Sequence, residues 1–426
     1  MKTAENPGLG HSCEDGEDVG GKARPSRFSK SVKTMALLAL SYSLLLLSLR
    51  YVSPHIKVPE LALTPQGGGF STAMHLLLGR GGGTDFLCDY SSAYALVHHQ
   101  DAYDITATLS ERVGTGWSVS TANTHPPTLL PFVLPFLVTD YGGALRAWSL
   151  AMVFVLILTV RLLDVKWVIA IGVGVALATT FPGAYAIGNP VPLIGLGIAI
   201  AYRWRNNPLA AALGLALAAG PKISLLMALP FLGARRFKTL AIAAGVYATL
   251  ICLPMLWQPD IWRRYLDAGV SALLGNAGRD DNASLLRLAQ TYGVSPWVVV
   301  MALGILALTA AIRTRDTFWP TVWLSVAALP ITWMSSLITF VPLAVWIVRR
   351  GPASSVGLIL VGAGLMIGSV PAGPLPVAIV PVIIGLVYTA LLLTPPLAHN
   401  EFQLPDWLSA LWPRLAQDAP TKGRFV

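Results

Sequence analysis

Asp85 and Asp89 stand four residues apart in a stretch of small and aromatic residues, Gly83-Thr84-Asp85-Phe86-Leu87-Cys88-Asp89-Tyr90-Ser91-Ser92-Ala93-Tyr94. That spacing predicts a short amphipathic helix lying on a membrane surface. On it the two carboxylates are one turn apart. Asp85 falls at or near the helix start, where a carboxylate commonly caps free backbone N–H groups. Held at a membrane–water boundary, the same group is also a candidate general base. His125 precedes Pro126-Pro127, whose fixed backbone presents it from a stiff turn. It reads either as an incidental residue at a helix start or as a cation or donor beside a phosphate. Gly188-Asn189-Pro190 joins two apolar runs, and a polar, helix-breaking tripeptide there leaves backbone groups facing a protected space. Lys222 sits between two half-length apolar segments. A charge so close to hydrocarbon either snorkels to the surface or serves a function.

Other polar groups carry weaker signals. Trp262-Arg263-Arg264-Tyr265 reads as an interface anchor. Gly278-Arg279-Asp280-Asp281-Asn282-Ala283-Ser284 is a polar turn by composition. Its adjacent carboxylates leave a divalent cation open, although two neighbouring acids in a turn specify little. Cys13, Cys88 and Cys252 form no CxxC or Cys/His cluster, so neither a zinc site nor a disulfide framework is expected. No Gly-rich phosphate loop appears.

The elements that must position these groups are apolar. Of the 426 residues, 54% are hydrophobic and 12% charged, about half the charge of an ordinary soluble domain. With a mean hydropathy of +0.62, this excludes a soluble globular or a disordered protein and leaves an all-α polytopic membrane protein. The net charge of +9 does not signal nucleic-acid binding, because the basic residues sit in short connectors. Apolar runs fall at 34–52, 144–162, 166–183, 187–202, 207–220, 222–234, 237–257, 296–312, 317–334, 336–348, 354–371 and 374–394. Several are shorter than the roughly 20 residues of a straight span. Short segments interrupted by Gly or Pro at membrane depth line a protected cavity. Residues 207–220 and 222–234, meeting at Gly220-Pro221-Lys222, are the clearest pair.

Charge sets the expected orientation. Alternate connectors carry eleven Lys/Arg against two Asp/Glu, which makes them cytoplasmic by the positive-inside rule. Both termini then lie inside, around about twelve spans. Residues 1–33 form a polar, disordered cytoplasmic tail. Residues 34–394 form the transmembrane domain, with large outer loops at 53–143 and 258–295. Residues 395–426 form a second cytoplasmic tail. The proline-rich segment 126–140 must then lie at the outer face rather than span, since a crossing there would reverse the charge bias.

The order of these motifs resembles the polyprenyl-phosphate-sugar-dependent glycosyltransferases of the GT-C superfamily, and glycosyltransferase family 87 in particular. That family includes actinobacterial mannosyltransferases and arabinofuranosyltransferases of cell-envelope glycolipids. The resemblance covers roughly residues 35–350 and rests on Asp85-Phe86…Tyr90…Ala93…Tyr103-Asp104, Pro126-Pro127…Pro131…Pro135, Gly188-Asn189, and Leu213–Lys222…Pro230…Arg235-Arg236. Asn282-Ala283-Ser284 also fits. The chain departs from the family pattern at Asn189-Pro190, at Pro221 before Lys222, and at Thr332-Trp333-Met334-Ser335-Ser336, where family members often carry a His.

The resemblance implies a GT-C fold with outer-face juxtamembrane helices in a bacterial plasma membrane, with the active site on the extracytoplasmic face. The implied partners are a polyprenyl-phosphate sugar donor, a glycolipid or polysaccharide acceptor and membrane lipids. The implied reaction is inverting transfer of a sugar, mannose foremost and arabinofuranose as the alternative, with Asp85 as base. Asp89 and Tyr90, on the same helix, are candidates for binding acceptor or donor, with Asp89 placed to orient the acceptor or to carry part of the base's role. Lys222, Arg279 and His125 are candidates for the leaving phosphate, Asn189 for a sugar hydroxyl, and Asn282 for the substrate-binding loop. No metal or other cofactor is required if Lys and Arg neutralise the phosphate. Two rivals share some features. A lipid-linked-sugar transporter or flippase would show inverted repeats and charges near the bilayer centre, neither of which the sequence displays. A catalytically silent scaffold would keep the fold without needing Asp85.

Overall fold

The computed structural model describes residues 84–113, 121–180, 188–222, 225–279, 282–332, 334–350 and 375–394. The expected tails, the runs at 34–52 and 354–371, the first part of outer loop one and Asp280-Asp281 lie outside the described residues. Among the described residues every regular element is helical, as the apolar runs and their Pro/Gly punctuation predict.

Helix α1 (Thr84–Val97) and α2 (Thr106–Val113) come first. An irregular apolar helix, α3 (Pro127–Val138), follows. Its prolines at 127, 131 and 135 break it into alternating 3₁₀ and α turns, because each removes a backbone donor. Helix α4 (Tyr141–Leu162) is uninterrupted for 22 residues, long enough at 1.5 Å per residue to cross a bilayer of about 30 Å. It starts at an Asp140 N-cap, whose Oδ1 accepts from the Gly143 N–H at 2.9 Å. Next are α5 (Trp167–Thr180), α6 (Val191–Arg203) and α7 (Pro208–Ala219).

The run expected at 222–234 condenses to a 3₁₀ turn at Leu226–Ala228 and a short α8 (Leu229–Gly233). Helix α9 (Phe237–Cys252) continues through a 3₁₀ turn to Leu256. The stretch expected as the second outer loop, 258–295, is helical rather than open. It forms α10, Ile261–Arg264 and Val270–Ala277 joined through a π turn at Tyr265–Gly269, and then α11 (Leu285–Thr291). Helices α12 (Pro296–Thr314), α13 (Phe318–Ala327), α14 (Val341–Arg350) and α15 (Leu375–Leu392) complete the described chain.

Among the described residues three helices, α4, α9 with its extension to Leu256, and α12, are long and apolar enough to cross a membrane. Helix α12 shows what such a helix presents outward. Val298, Met301, Ile305 and Leu308 lie along one exposed stripe, at the spacing of one helix face. Large apolar groups left open in this way suit hydrocarbon, not water. The remaining apolar helices, including α3, α6 and α7, are shorter.

Helices α6 and α7 pair through backbone rather than side chains. A Cβ at Gly197 would stand 2.4 Å from the Ala218 amide nitrogen, and one at Gly214 would stand 2.5 Å from that of Ala201. Only hydrogen fits at those two positions, which is how apolar helices approach closely where hydrocarbon surrounds them. This contact fixes the turn before α6 relative to the residues after α7, and the site uses both.

The face of α1 that holds Phe86 and Tyr90 is buried rather than spread over a surface. Phe86 stacks on Trp148 of α4 at 5.1 Å and on Tyr141 at 6.1 Å, and meets Phe136 of α3 edge-on at 6.3 Å. Tyr90 donates its hydroxyl to the Thr139 carbonyl at 2.9 Å. An aromatic wedge therefore sets the start of α1, and with it Asp85.

Candidate active site

Asp85 is the second residue of α1, one position inside the helix. Its carboxylate reaches across to another segment: Asn189 Nδ2 donates to Asp85 Oδ2 at 2.8 Å. Asn189 is itself held, since its Oδ1 accepts from the Val191 N–H at 3.0 Å. The preceding Gly188 has φ +71°, and its carbonyl accepts from Trp148 Nε1 at 2.9 Å. The Gly188-Asn189-Pro190 tripeptide is thus a rigid bracket on the start of α1.

The second carboxylate has a different environment. Asp89 is fully buried. Its Oδ1 and Oδ2 lie 2.9 and 3.1 Å from His125 Nδ1. Asn123 Nδ2 donates to Asp89 Oδ1 at 3.0 Å and to Ser92 Oγ at 3.1 Å. Asn123 Oδ1 accepts from the His125 N–H at 2.9 Å, and Tyr103 donates its hydroxyl to the His125 carbonyl at 2.8 Å. Asp85, Asp89 and Ser92 share one face of α1 at i, i+4 and i+7.

Electrostatics separates the two acids. Asp85 retains some solvent access, yet the surrounding protein raises its carboxyl above the usual range. Desolvation and the neighbouring Asp89 push it up, while His125, Lys222 and the Asn189 hydrogen bond pull it back. For His125, burial favours the neutral ring, but the Asp89 carboxylate outweighs it and the imidazole stays protonated further up the pH scale than usual. Burial, with Tyr265 and Asp89 nearby, holds the Tyr103 phenol well above its ordinary value, so it remains a donor. A carboxyl raised in this way and still reachable fits a base; one with both oxygens committed to His125 and Asn123 does not. Cys88 is no nucleophile, because burial pushes its thiol up to about 12, and it accepts from the Thr106 hydroxyl at 3.5 Å.

Lys222 enters from the end of α7. Its charge acts on both Asp85 and His125. The Gly220 carbonyl two residues earlier accepts from Thr128 Oγ1 at 2.6 Å, which ties this corner to the start of α3. Asp85, Asp89, His125, Asn189 and Lys222, read from distant parts of the sequence, therefore converge. Tyr90 serves the aromatic wedge instead. The Asn282 side chain is engaged by main chain alone: Nδ2 donates to the carbonyls of Ala277 and Pro330, each at 3.0 Å, and Oδ1 accepts from the Ser284 and Thr332 amides, each at 3.1 Å. It staples the segment after α10 to the turn after α13. Arg279 is exposed at the end of α10. Among the described residues no group of three or more His, Cys, Asp or Glu could hold a metal ion.

Sequence reasoning did not single out Asn123, Ser92 and Tyr103 as site residues. Ser92 was readable from its place seven residues after Asp85. Asn123 carries no periodic signal, and only its position two residues before His125 hints at a shared turn. The π turn brings α10 against this layer. A Cβ at Gly269 would lie 2.8 Å from the Asn123 carbonyl, and the Tyr265 ring packs on Tyr103 at 5.3 Å.

Replacing Asn189 with Ala tests the bracket. Removing a donor that stabilises the ionised form raises the Asp85 carboxyl further. The ascending limb of the pH–rate profile then moves to higher pH, by about one unit at most, and the rate at neutral pH falls about tenfold. A limb that stays put or moves to lower pH would show that the 2.8 Å contact does not act on the reacting carboxylate.

Among the described residues the fold is helical, three helices are long and apolar enough to cross a membrane, and a raised carboxyl and a lysine meet where broken apolar helices come together. Residues 123–329 match the model of glycosyltransferase family 87. The match makes the chain similar to that GT-C superfamily family over just under half its length, and it supports glycosyltransferase activity in general, with a sugar donor and an acceptor as substrates. No curated protein and no solved structure matches the chain. The family match covers His125, Asn189 and Lys222 and begins downstream of Asp85 and Asp89, so the roles of the two carboxylates rest on the geometry above.

Proposed function

We propose that the chain is an inverting glycosyltransferase that moves a sugar, mannose foremost, from a polyprenyl-phosphate donor to a cell-envelope glycolipid or polysaccharide. It acts at the outer face of a bacterial plasma membrane, in a GT-C fold of about twelve spans with both termini inside. The observation that carries this reading is the reachable Asp85 carboxyl, bracketed by Asn189 at 2.8 Å and faced by the charge of Lys222.

The acceptor hydroxyl attacks the anomeric carbon from the face opposite the phosphate. Its proton passes to Asp85, the new C–O bond forms, and the bond to the phosphate oxygen breaks. The leaving polyprenyl phosphate carries away the electron pair and the configuration inverts. A raised carboxyl makes Asp85 a stronger base than an exposed one. Lys222, Arg279 and His125 neutralise the departing phosphate, and fixed charges of this kind are worth most where water is excluded. Asn189 fixes the base and borders the sugar. In this reading the short apolar helices border the polyprenyl chain, whose apolar contacts supply much of the donor's binding energy.

The test is a transfer assay in membranes, with radiolabelled polyprenyl-phosphate mannose and polyprenyl-phosphate arabinofuranose offered separately. Label passing from the mannose donor to a lipid-extractable or polymeric product is the expected result. Label passing from the arabinofuranose donor alone would replace the sugar and keep the reaction. Transfer from neither, by folded protein, would sink the reading.

A further inference from the structure

Asp85 and Asp89 are four residues apart on one helix, and only one of them is free to meet a substrate. Asp89 has 0% side-chain exposure and His125 has 10%. Both Asp89 oxygens face the same imidazole nitrogen, at 2.9 and 3.1 Å, and Asn123 supplies a further donor at 3.0 Å. With its side chain fully buried against these donors, Asp89 presents no exposed oxygen to a sugar hydroxyl. The effort spent on His125 is equally specific. Asn123 Oδ1 accepts from its backbone N–H at 2.9 Å, Tyr103 donates to its carbonyl at 2.8 Å, and Pro126 fixes the chain beyond it. Backbone and Nδ1 are pinned, which aims the ring's other edge and its Nε2.

Resting on the transferase reading above, we propose that Asp89 is a positioning residue for the donor side of the reaction: it holds His125 as a cation whose Nε2–H meets the donor phosphate, opposite Lys222. The charged groups facing His125 are Asp89 and Asp85 from α1 and Lys222 from the end of α7, with the Tyr103 phenol on its main chain. Two carboxylates against one ammonium leave room for one more cation. When the phosphate arrives, Lys222 and His125 supply two positive charges to it. No bond to the protein forms or breaks, and the Nε2 proton stays on the ring as the phosphate oxygen gains charge. His125 deprotonation then removes a phosphate donor, so the transfer rate has a descending limb at high pH as well as the ascending limb set by Asp85.

The experiment uses the full-length protein in nanodiscs, with isotope-labelled histidine and the His125 signal assigned by its loss in His125→Gln. Wild type and Asp89→Asn are titrated by NMR, and both are assayed for transfer across the same pH range. In wild type His125 is expected to titrate above the ordinary 6.5 and in Asp89→Asn below it. The descending limb moves to lower pH in step, and the donor KM at neutral pH rises about tenfold while kcat changes little.

An ascending-limb shift with an unmoved His125 titration would make Asp89 part of the base and overturn the proposal. So would a loss confined to kcat. If Asp89→Asn does not fold, His125→Gln carries the test. It must lose the descending limb and raise the donor KM, and an unchanged profile would overturn the proposal. A wild-type protein that transfers nothing would sink the transferase reading, while the His125 titration in Asp89→Asn would still report whether Asp89 holds the imidazole charged.

Discussion

Asp85→Asn stops sugar transfer while the protein stays folded and still binds donor. The amide has the size of the carboxylate and can turn an oxygen toward Asn189 Nδ2, now 2.8 Å from Asp85 Oδ2, so the bracket on α1 survives. What disappears is the proton acceptor, and with it a rate factor of about 10²–10⁴. The effect is expected at the upper end, because Asp89, the other carboxylate of α1, is held by His125. The wild-type pH profile sharpens the test. Activity requires ionised Asp85, and burial raises its carboxyl above the ordinary 3.8. Rate therefore climbs with pH through an ascending limb displaced upward from the usual carboxylate range. Donor binding, measured by protection of thermal unfolding with polyprenyl phosphate, should change by less than about threefold. A variant that keeps more than about a tenth of wild-type kcat would move the base away from Asp85.

How far the sequence carries the site depends on what kind of signal each residue leaves. Helix α4 was legible because the run at 144–162 is apolar over most of its length and long enough to span; its start after the Asp140 cap, ahead of that run, was not. Asp85, His125, Asn189 and Lys222 were legible because each is a polar group beside a Pro or Gly break in apolar sequence. Such a break has few uses in a membrane protein except to face a cavity or a ligand. The division of labour between Asp85 and Asp89 was not legible. It depends on Asn123 and His125 arriving from 34 and 36 residues away, and no local periodicity encodes that. Asn282 misled for the converse reason. A polar residue in an outer loop resembles a binding group, yet its four hydrogen-bonding positions fit four backbone partners. The helical character of the stretch 258–295 was missed because its π turn at Tyr265–Gly269 interrupts the 3.6-residue period. The segments 207–220 and 222–234 show both outcomes. Their meeting point beside Lys222 was readable from Gly220-Pro221, whereas the reduction of the second to a few short turns follows from packing around Phe231, which is fully buried.

Gly188→Ala should damage stability and activity together, through one atom. Gly188 has φ +71°, where an added Cβ costs about 1–2 kcal/mol of backbone strain. The Cβ would also stand 2.4 Å from Phe86 Cβ, inside any real carbon–carbon contact. Phe86 has nowhere to retreat, with Trp148 stacked on it at 5.1 Å and Tyr141 at 6.1 Å. Overpacking of a filled site costs about 1–3 kcal/mol more, so a total loss of about 2–5 kcal/mol is expected. Relief can come only by moving the tripeptide away from α1, which stretches the Trp148 contact to the Gly188 carbonyl, now 2.9 Å, and withdraws Asn189 from Asp85. A displacement of about 1 Å at a positioning group can cost a hundredfold in rate, so protein that does fold should be slowed by about tenfold or more. Gly293→Ala is the control. It has the same φ of +71°, with nothing within 4 Å of the added Cβ. It should show the strain alone, a small drop in Tm, and unchanged transfer. Equal losses of stability in the two variants would mean that the collision with Phe86 does not occur. A destabilised Gly188→Ala with full activity would mean that the bracket does not position the base.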